Sequence, residues 1–172
     1  MVNPRLITAV HEAGHAVVAE HNGITVKSIE ILNFQTGATD LEDRDPPPHM
    51  ERARVAVAGF AAVGVVLGSE AEAQNRASEA HDELDSDLFR AMVHAAELGV
   101  ANDDLHKHLL ELEDEVRALL ESNPYKGMLV AITECLWDAD GSTATQNYMS
   151  GDEVRNLMAT TRASWLAAGS PG

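Results

Sequence analysis

Residues 3–23 read Asn3-Pro4-Arg5-Leu6-Ile7-Thr8-Ala9-Val10-His11-Glu12-Ala13-Gly14-His15-Ala16-Val17-Val18-Ala19-Glu20-His21-Asn22-Gly23. Asn3 is a good helix cap, and Pro4 suits the first helical position, where no amide donor is needed. Leu6, Val10, His11, Gly14, Val17 and Val18 then recur at helical spacing. Asn22-Gly23 supplies a stop. The spacing predicts one helix that carries His11, Glu12 and His15.

His11-Glu12-Ala13-Gly14-His15 is an H-E-x-x-H pattern. On a helix, positions i and i+4 share a face, so both imidazoles can reach one tetrahedral zinc ion. Zinc lowers the pKa of a bound water to about 7 and polarises a carbonyl. Glu12, next to the first ligand, is placed to act as the general base. Gly14 costs a helix about 1 kcal/mol relative to Ala, so a close approach by another segment is expected there. A catalytic zinc site wants a third protein ligand and an open fourth position. His21, His49, His81, His94, His106, His108 and many carboxylates are available, and spacing alone does not choose. The richest cluster is His81-Asp82-Glu83-Leu84-Asp85-Ser86-Asp87, which leads into a helix.

Outward from this helix, Ile24 to Leu32 alternates as a strand, with a register shift expected near Lys27. Asn33 to Pro48 is polar, ends in three prolines and is expected to be a loop. Met50 to Leu67 is nearly all apolar and is expected to be a core helix. Glu70 to Glu83 reads as loop or frayed helix. Further helices are expected from Ser86 to Leu98, from an Asn102 cap to Asn123, from Tyr125 to Ala139, and after a capping box at Ser150-Gly151-Asp152-Glu153. Asp140 to Tyr148 reads as a loop, and residues 168–172 as a flexible tail. With no internal repeat and no long linker, residues 1–172 are expected to form a single domain.

Composition narrows the function classes. Hydrophobic residues make up 45% and aromatics 4%, so Ala, Val and Leu build the interior. The formal net charge of −16 argues against nucleic acid and anionic membranes as partners. No apolar signal segment follows Met1, and the apolar run Val55 to Leu67 is too short to span a bilayer. A single cysteine, Cys135, permits no disulfide within the chain and suits a reducing compartment, so a cytoplasmic location is expected. Cys135 reads as a small buried hydrophobe, and Trp137 and Trp165 as core or interface anchors. His94 and Met92 are expected in core packing or partly exposed rather than as ligands, and His106 and His108 on a solvated face. Ile29-Glu30-Ile31 reads equally as an exposed edge strand, able to pair with an extended substrate, or as a strand within a small sheet. No Gly-rich phosphate loop is present, so no ATPase activity is expected of these residues.

Three segments together resemble one family. They are Thr8-Ala9-Val10-His11-Glu12-Ala13-Gly14-His15-Ala16, then Val57-Ala58-Gly59-Phe60-Ala61-Ala62 through Leu67-Gly68, and Ser86-Asp87-Leu88-Phe89-Arg90-Ala91-Met92 with Glu97-Leu98-Gly99. In this order they resemble the peptidase domain of the FtsH family, the membrane-anchored AAA+ zinc proteases. Asp114-Glu115-Val116-Arg117 and Ser150-Gly151-Asp152-Glu153-Val154 are fainter echoes. The resemblance implies a mainly α, zincin-like metallopeptidase domain with a small sheet or hairpin near the zinc helix. It implies zinc held by His11, His15 and Asp87, with Glu12 as catalytic base, and leaves Asp85 and Asp82 as alternatives to Asp87. Where the family has two glutamates, this chain has Val63 and Gly64. An acidic neighbour there would orient a zinc-bound imidazole, so its loss is expected to weaken metal affinity or rate unless Glu70 or Glu72 substitutes.

The AAA+ module and membrane helices of the family are absent from these 172 residues. What carries over is therefore peptide hydrolysis on short or unfolded chains, with a separate unfoldase as a candidate partner and room for homo-oligomers. The competing expectation is a degenerate relative that binds metal or peptide and acts through a partner.

Overall fold

In the computed structural model, residues 2–33, 36–43, 48–79, 86–137 and 148–169 are described. Helix α1 spans Pro4–His21 and is buried without interruption from Ile7 to Ala19. Asn3 caps it by accepting the Arg5 amide at 3.0 Å. At its end Gly23 takes φ 71°, and the Ile24 amide returns to the Ala19 carbonyl at 2.9 Å. Both ends fall where the sequence put them.

β1 (Val26–Ile31) follows, with its register shift between Val26 and Ser28, as expected. It is the central strand of a three-stranded antiparallel sheet in the order β2-β1-β3. β2 is Gly37–Leu41, inside the segment expected to be a loop, and it pairs Ile29 with Thr39 and Ile31 with Gly37. Gly-Ala-Thr-Asp-Leu has too few large apolar residues to show a strand period, because no face of it is deeply buried. β3 is Tyr148–Ser150, so Tyr148 opens a strand, and residues 140–147 of the expected loop lie outside the described residues. Ile29-Glu30-Ile31 is thus on the central strand, and among the described residues β2 and β3 are the two edge strands.

α2 (His49–Leu67) is the apolar helix, and it packs along α1. The approach is close enough to explain Gly14. A Cβ there would stand 2.5 Å from the Ala62 Cβ and 2.7 Å from the Ala58 carbonyl oxygen. α3 (Ser69–Glu79) is a formed helix where loop or fraying was expected. α4 (Asp87–Glu97) is capped by Ser86, whose hydroxyl accepts the Phe89 amide at 3.3 Å. A 3₁₀ turn at Asn102–Asp104 precedes α5 (Leu105–Glu121), so Asn102 opens the turn and does not cap α5. α6 is Tyr125–Leu136. α7 (Gly151–Ala167) begins with the expected capping box of Ser150 and Glu153.

α1 forms the axis of the core. α2 lies along one side of it, and the sheet, α6 and α7 contact it elsewhere; α3, α4 and α5 pack on α2. Cys135 is exposed on α6, against expectation, because its helix turns Ile132 and Leu136 inward instead. Trp137 packs on the core edge and Trp165 is half-buried, while His106 is exposed. Among the described residues, the molecule is mainly helical with one small sheet, and no helix is long and apolar enough to cross a membrane.

Candidate metal centre

Three side chains meet at the middle of α1. His11 and His15 sit one helical turn apart, and Asp87 arrives as the first residue of α4. Asp87 Oδ2 lies 2.8 Å from His11 Nε2 and 2.8 Å from His15 Nε2, and the two nitrogens are 2.9 Å apart. Among the described residues, this is the group of side chains that could hold a metal ion. Asp82 and Asp85, the alternatives to Asp87, and His81 lie outside the described residues.

The hydrogen bonding around His15 shows what the triangle needs. His15 Nδ1 donates to the Val55 carbonyl at 2.6 Å. In the neutral ring Nε2 is then a lone pair, and it faces a carboxylate oxygen at hydrogen-bond distance. Two buried acceptors at that range require a cation between them, either a proton or a metal ion. Without metal the proton is held strongly. Burial works against the imidazolium, but Asp87, Glu12 and the Val55 carbonyl outweigh it, and His15 is pushed up to about 10. Burial likewise opposes the Asp87 carboxylate, but the two imidazoles overcome it and hold Asp87 well below the usual carboxylate range. Two imidazole nitrogens and one carboxylate oxygen are a zinc-type donor set. Ligands at 2.0–2.1 Å around tetrahedral zinc stand roughly 3.3 Å apart, so the triangle would open by about half an ångström.

The pocket is shaped by small residues. A Cβ at Gly59 of α2 would occupy the His11 ring, so Gly59 is what lets that imidazole lie flat on α2. Phe60 meets the same ring edge-on, 5.4 Å between centroids, and Arg76 lies over Phe60 at 4.5 Å. The amide nitrogen Nδ2 of Asn75, buried on α3, lies 2.7 Å from His11 Nδ1.

Glu12 is 6% exposed and borders the same open cleft, of about 690 Å³. Thr39 of β2 donates its hydroxyl to Glu12 Oε2 at 2.7 Å. Gly37, two residues earlier, leaves room for the same side chain, since a Cβ there would stand 2.6 Å from Glu12 Cγ. β2 thus turns Thr39 and Gly37 toward the carboxylate. At the far side of the cleft His94 pairs with His49, Nδ1 to Nδ1 at 3.1 Å, so His94 is in helix packing as expected.

Of the two candidates to stand in for the glutamates missing at Val63 and Gly64, Glu72 is held by arginines. Glu70 is exposed. Val63 is fully buried, and the space a side chain at Gly64 would need is filled by Glu72 and Arg117. Glu72 accepts from Arg76 at 3.0 Å and Arg117 at 3.1 Å, and Glu113 accepts from Arg76 at 2.5 Å and Arg117 at 2.9 Å. Those four charges join α3 to α5.

Sequence reasoning missed Asn75, Thr39 and the Val55 carbonyl. Asn75 lies one turn after Ala71 on α3, but the burial of both shows only in the folded chain. Thr39 and Gly37 lie two apart, the spacing of one strand face. A backbone carbonyl leaves no signal. The chain matches no protein-family model and no curated protein.

Proposed function

We propose that this chain is a zinc-dependent peptide hydrolase, a zincin-like domain related to the FtsH-family peptidases, with zinc held by His11, His15 and Asp87. The observation that supports it most is the convergence of His15 and a carboxylate 72 positions further along the chain on one point, each 2.8 Å or so from the other and from His11. A glutamate follows the first histidine and lines the same cleft.

Bound zinc supplies Lewis acidity, acidifying a water and polarising the scissile carbonyl. Glu12 takes the proton of the attacking water at its carboxylate and passes it to the leaving amine. Thr39 holds that carboxylate in one orientation. The Val55 carbonyl fixes the His15 tautomer so that Nε2 faces the metal. The free edge of β2 gives an extended peptide a strand to pair with, which places its backbone beside Glu12. The substrates of this reading are short or unfolded peptides in the cytoplasm, with a separate unfoldase as candidate partner.

Glu12→Gln tests the reading. The variant keeps one zinc and the fold, and loses at least about a hundredfold in peptide hydrolysis, since general base catalysis is worth roughly 10²–10⁴. Equal cleavage by wild type and variant contradicts it. A second reading, a binding module without turnover, draws on the loss of both acidic residues at Val63 and Gly64. It gains if the zinc-loaded wild type binds peptides and cleaves none.

A further inference from the structure

A zinc-bound histidine is set by the partner of its other ring nitrogen. For His15 that partner is the Val55 carbonyl, a pure acceptor. For His11 it is the side-chain amide of Asn75, whose Nδ2 lies 2.7 Å from Nδ1. With Nδ2 there, Nδ1 is the acceptor and the ring proton sits on Nε2, toward Asp87; turning the amide by 180° about its last torsion exchanges Nδ2 for Oδ1. His11 Nε2 lies in the triangle, 2.8 Å from Asp87 Oδ2 and 2.9 Å from His15 Nε2. If that nitrogen gives its lone pair to a metal, the neutral ring carries its proton on Nδ1. Nδ1–H then needs an acceptor, and the amide meets it with oxygen once it has turned over.

We propose that Asn75 is the positioning residue of His11: its Oδ1 accepts the Nδ1–H and leaves Nε2 bare toward the metal. Asn75 does, from α3, what the missing acidic residue at Val63 or Gly64 would have done from α2. Its own placement is fixed. Asn75 is 6% exposed, and the next residue, Arg76, is bound to Glu72 and Glu113 and lies over Phe60. Phe60 in turn meets the His11 ring edge-on. The four charges of Glu72, Arg76, Glu113 and Arg117 thus clamp α3 to α5 with Asn75 aimed at His11. A neutral amide does this without adding a charge that burial would penalise. It also leaves the net charge of the three ligands at −1, so zinc keeps more of its positive character than beside an added carboxylate.

This inference rests on the zinc reading above, and two variants of the whole chain separate them. Asn75→Leu preserves size and removes the acceptor. Asn75→Asp preserves shape and offers only acceptors. Zinc affinity is read by competition with a chromophoric chelator, alongside the unfolding transition of each metal-free protein. The expected result is a loss of roughly 10–100-fold in zinc affinity for Asn75→Leu, and an affinity for Asn75→Asp at least equal to wild type. Zinc retained by Asn75→Leu overturns the proposal, because packing alone then suffices. Zinc weakened in Asn75→Asp also overturns it, because the amide must then be donating from Nδ2. Should Asn75→Leu fail to fold, Asn75→Asp still decides. If wild type binds no zinc, the proposal falls together with the metal reading, an outcome distinct from either variant failing alone.

Discussion

Two of the three converging side chains sit on α1 and the third on α4, and these helices are held very differently. α1 is buried from Ile7 to Ala19, and α2 comes so close that Gly14 and Gly59 admit no side chain. α4 buries only Ala91 and Ala95, while Leu88, Phe89, Met92 and Val93 on it are exposed. His11 and His15 are therefore set by the core itself. Asp87 is set by a cap at Ser86 and by the packing of α4 on α2 and α5, in which Ala91 and Ala95 are the residues fully buried. The imidazole pair is therefore the rigid half of the site and the carboxylate the adjustable half. Opening the triangle to admit a metal is then a movement of α4 more than of α1.

The largest effect is expected from breaking the rigid half. Gly59→Ala places a methyl group where the His11 ring lies, and the ring or α2 must move. Overpacking of this kind costs about 1–3 kcal/mol. The expected outcome is a lower denaturation midpoint together with loss of zinc, measured by urea unfolding and elemental analysis. A Gly59→Ala protein with wild-type stability and full zinc would show that α1 and α2 are not locked as described.

Removing a ligand comes next. His15→Ala is expected to lose its equivalent of zinc on dialysis against a mild chelator, and Asp87→Ala to bind more weakly but measurably, since it disturbs only the adjustable half. Unchanged affinity in Asp87→Ala would move the third ligand to Asp85, Asp82 or a histidine.

The pH dependence sharpens the same contrast. In the metal-free protein His15 rises from its ordinary 6.5 to about 10, chiefly through Asp87 against the opposing effect of burial. A raised pKa contributes stability that is complete below pH 6.5 and is lost as pH climbs through about 10. Asp87 is shifted down, so its contribution is present above the ordinary carboxylate range and is lost only in strong acid. Metal-free protein is thus expected to lose thermal stability between about pH 7 and 10, and zinc-loaded protein to lose less. Zinc uptake near neutral pH is expected to release a proton from His15, seen by calorimetry in buffers of different ionisation enthalpy. Uptake with no proton release would place the metal elsewhere.

The smallest effect is expected on the outer face of α4. Met92→Ser is half-exposed already and should change stability by no more than about 0.5 kcal/mol, with zinc affinity unaltered. A large loss there would mean that α4 is anchored more firmly than its two buried alanines suggest.

How much of this was legible followed from where each residue gets its constraint. α1 could be read from end to end, because Asn3, Pro4, Asn22 and Gly23 act locally and the apolar period is dense. Gly14 announced a close neighbour through its own helix cost. The shift near Lys27 and the capping box at Ser150 were equally local. β2 was not legible, since Gly37 to Leu41 owes its strand to pairing with β1 and hides no apolar face. Asn75 was not legible either. It lies in an acidic, Ala-rich stretch that reads as solvated, and its burial depends on ion pairs from Glu72 and Arg76 to α5, more than thirty residues away. Asp87 could be singled out only through resemblance, because one carboxylate among many carries no period.

The most direct test of the account is where a metal sits. A crystal of the wild-type protein grown with zinc, measured on both sides of the zinc absorption edge, gives an anomalous difference peak wherever the ion binds. The account predicts one peak at about 2.0–2.1 Å from His11 Nε2, His15 Nε2 and an Asp87 carboxylate oxygen. A fully soaked crystal with no peak among these three, or with its peak at the His49–His94 pair, would contradict it.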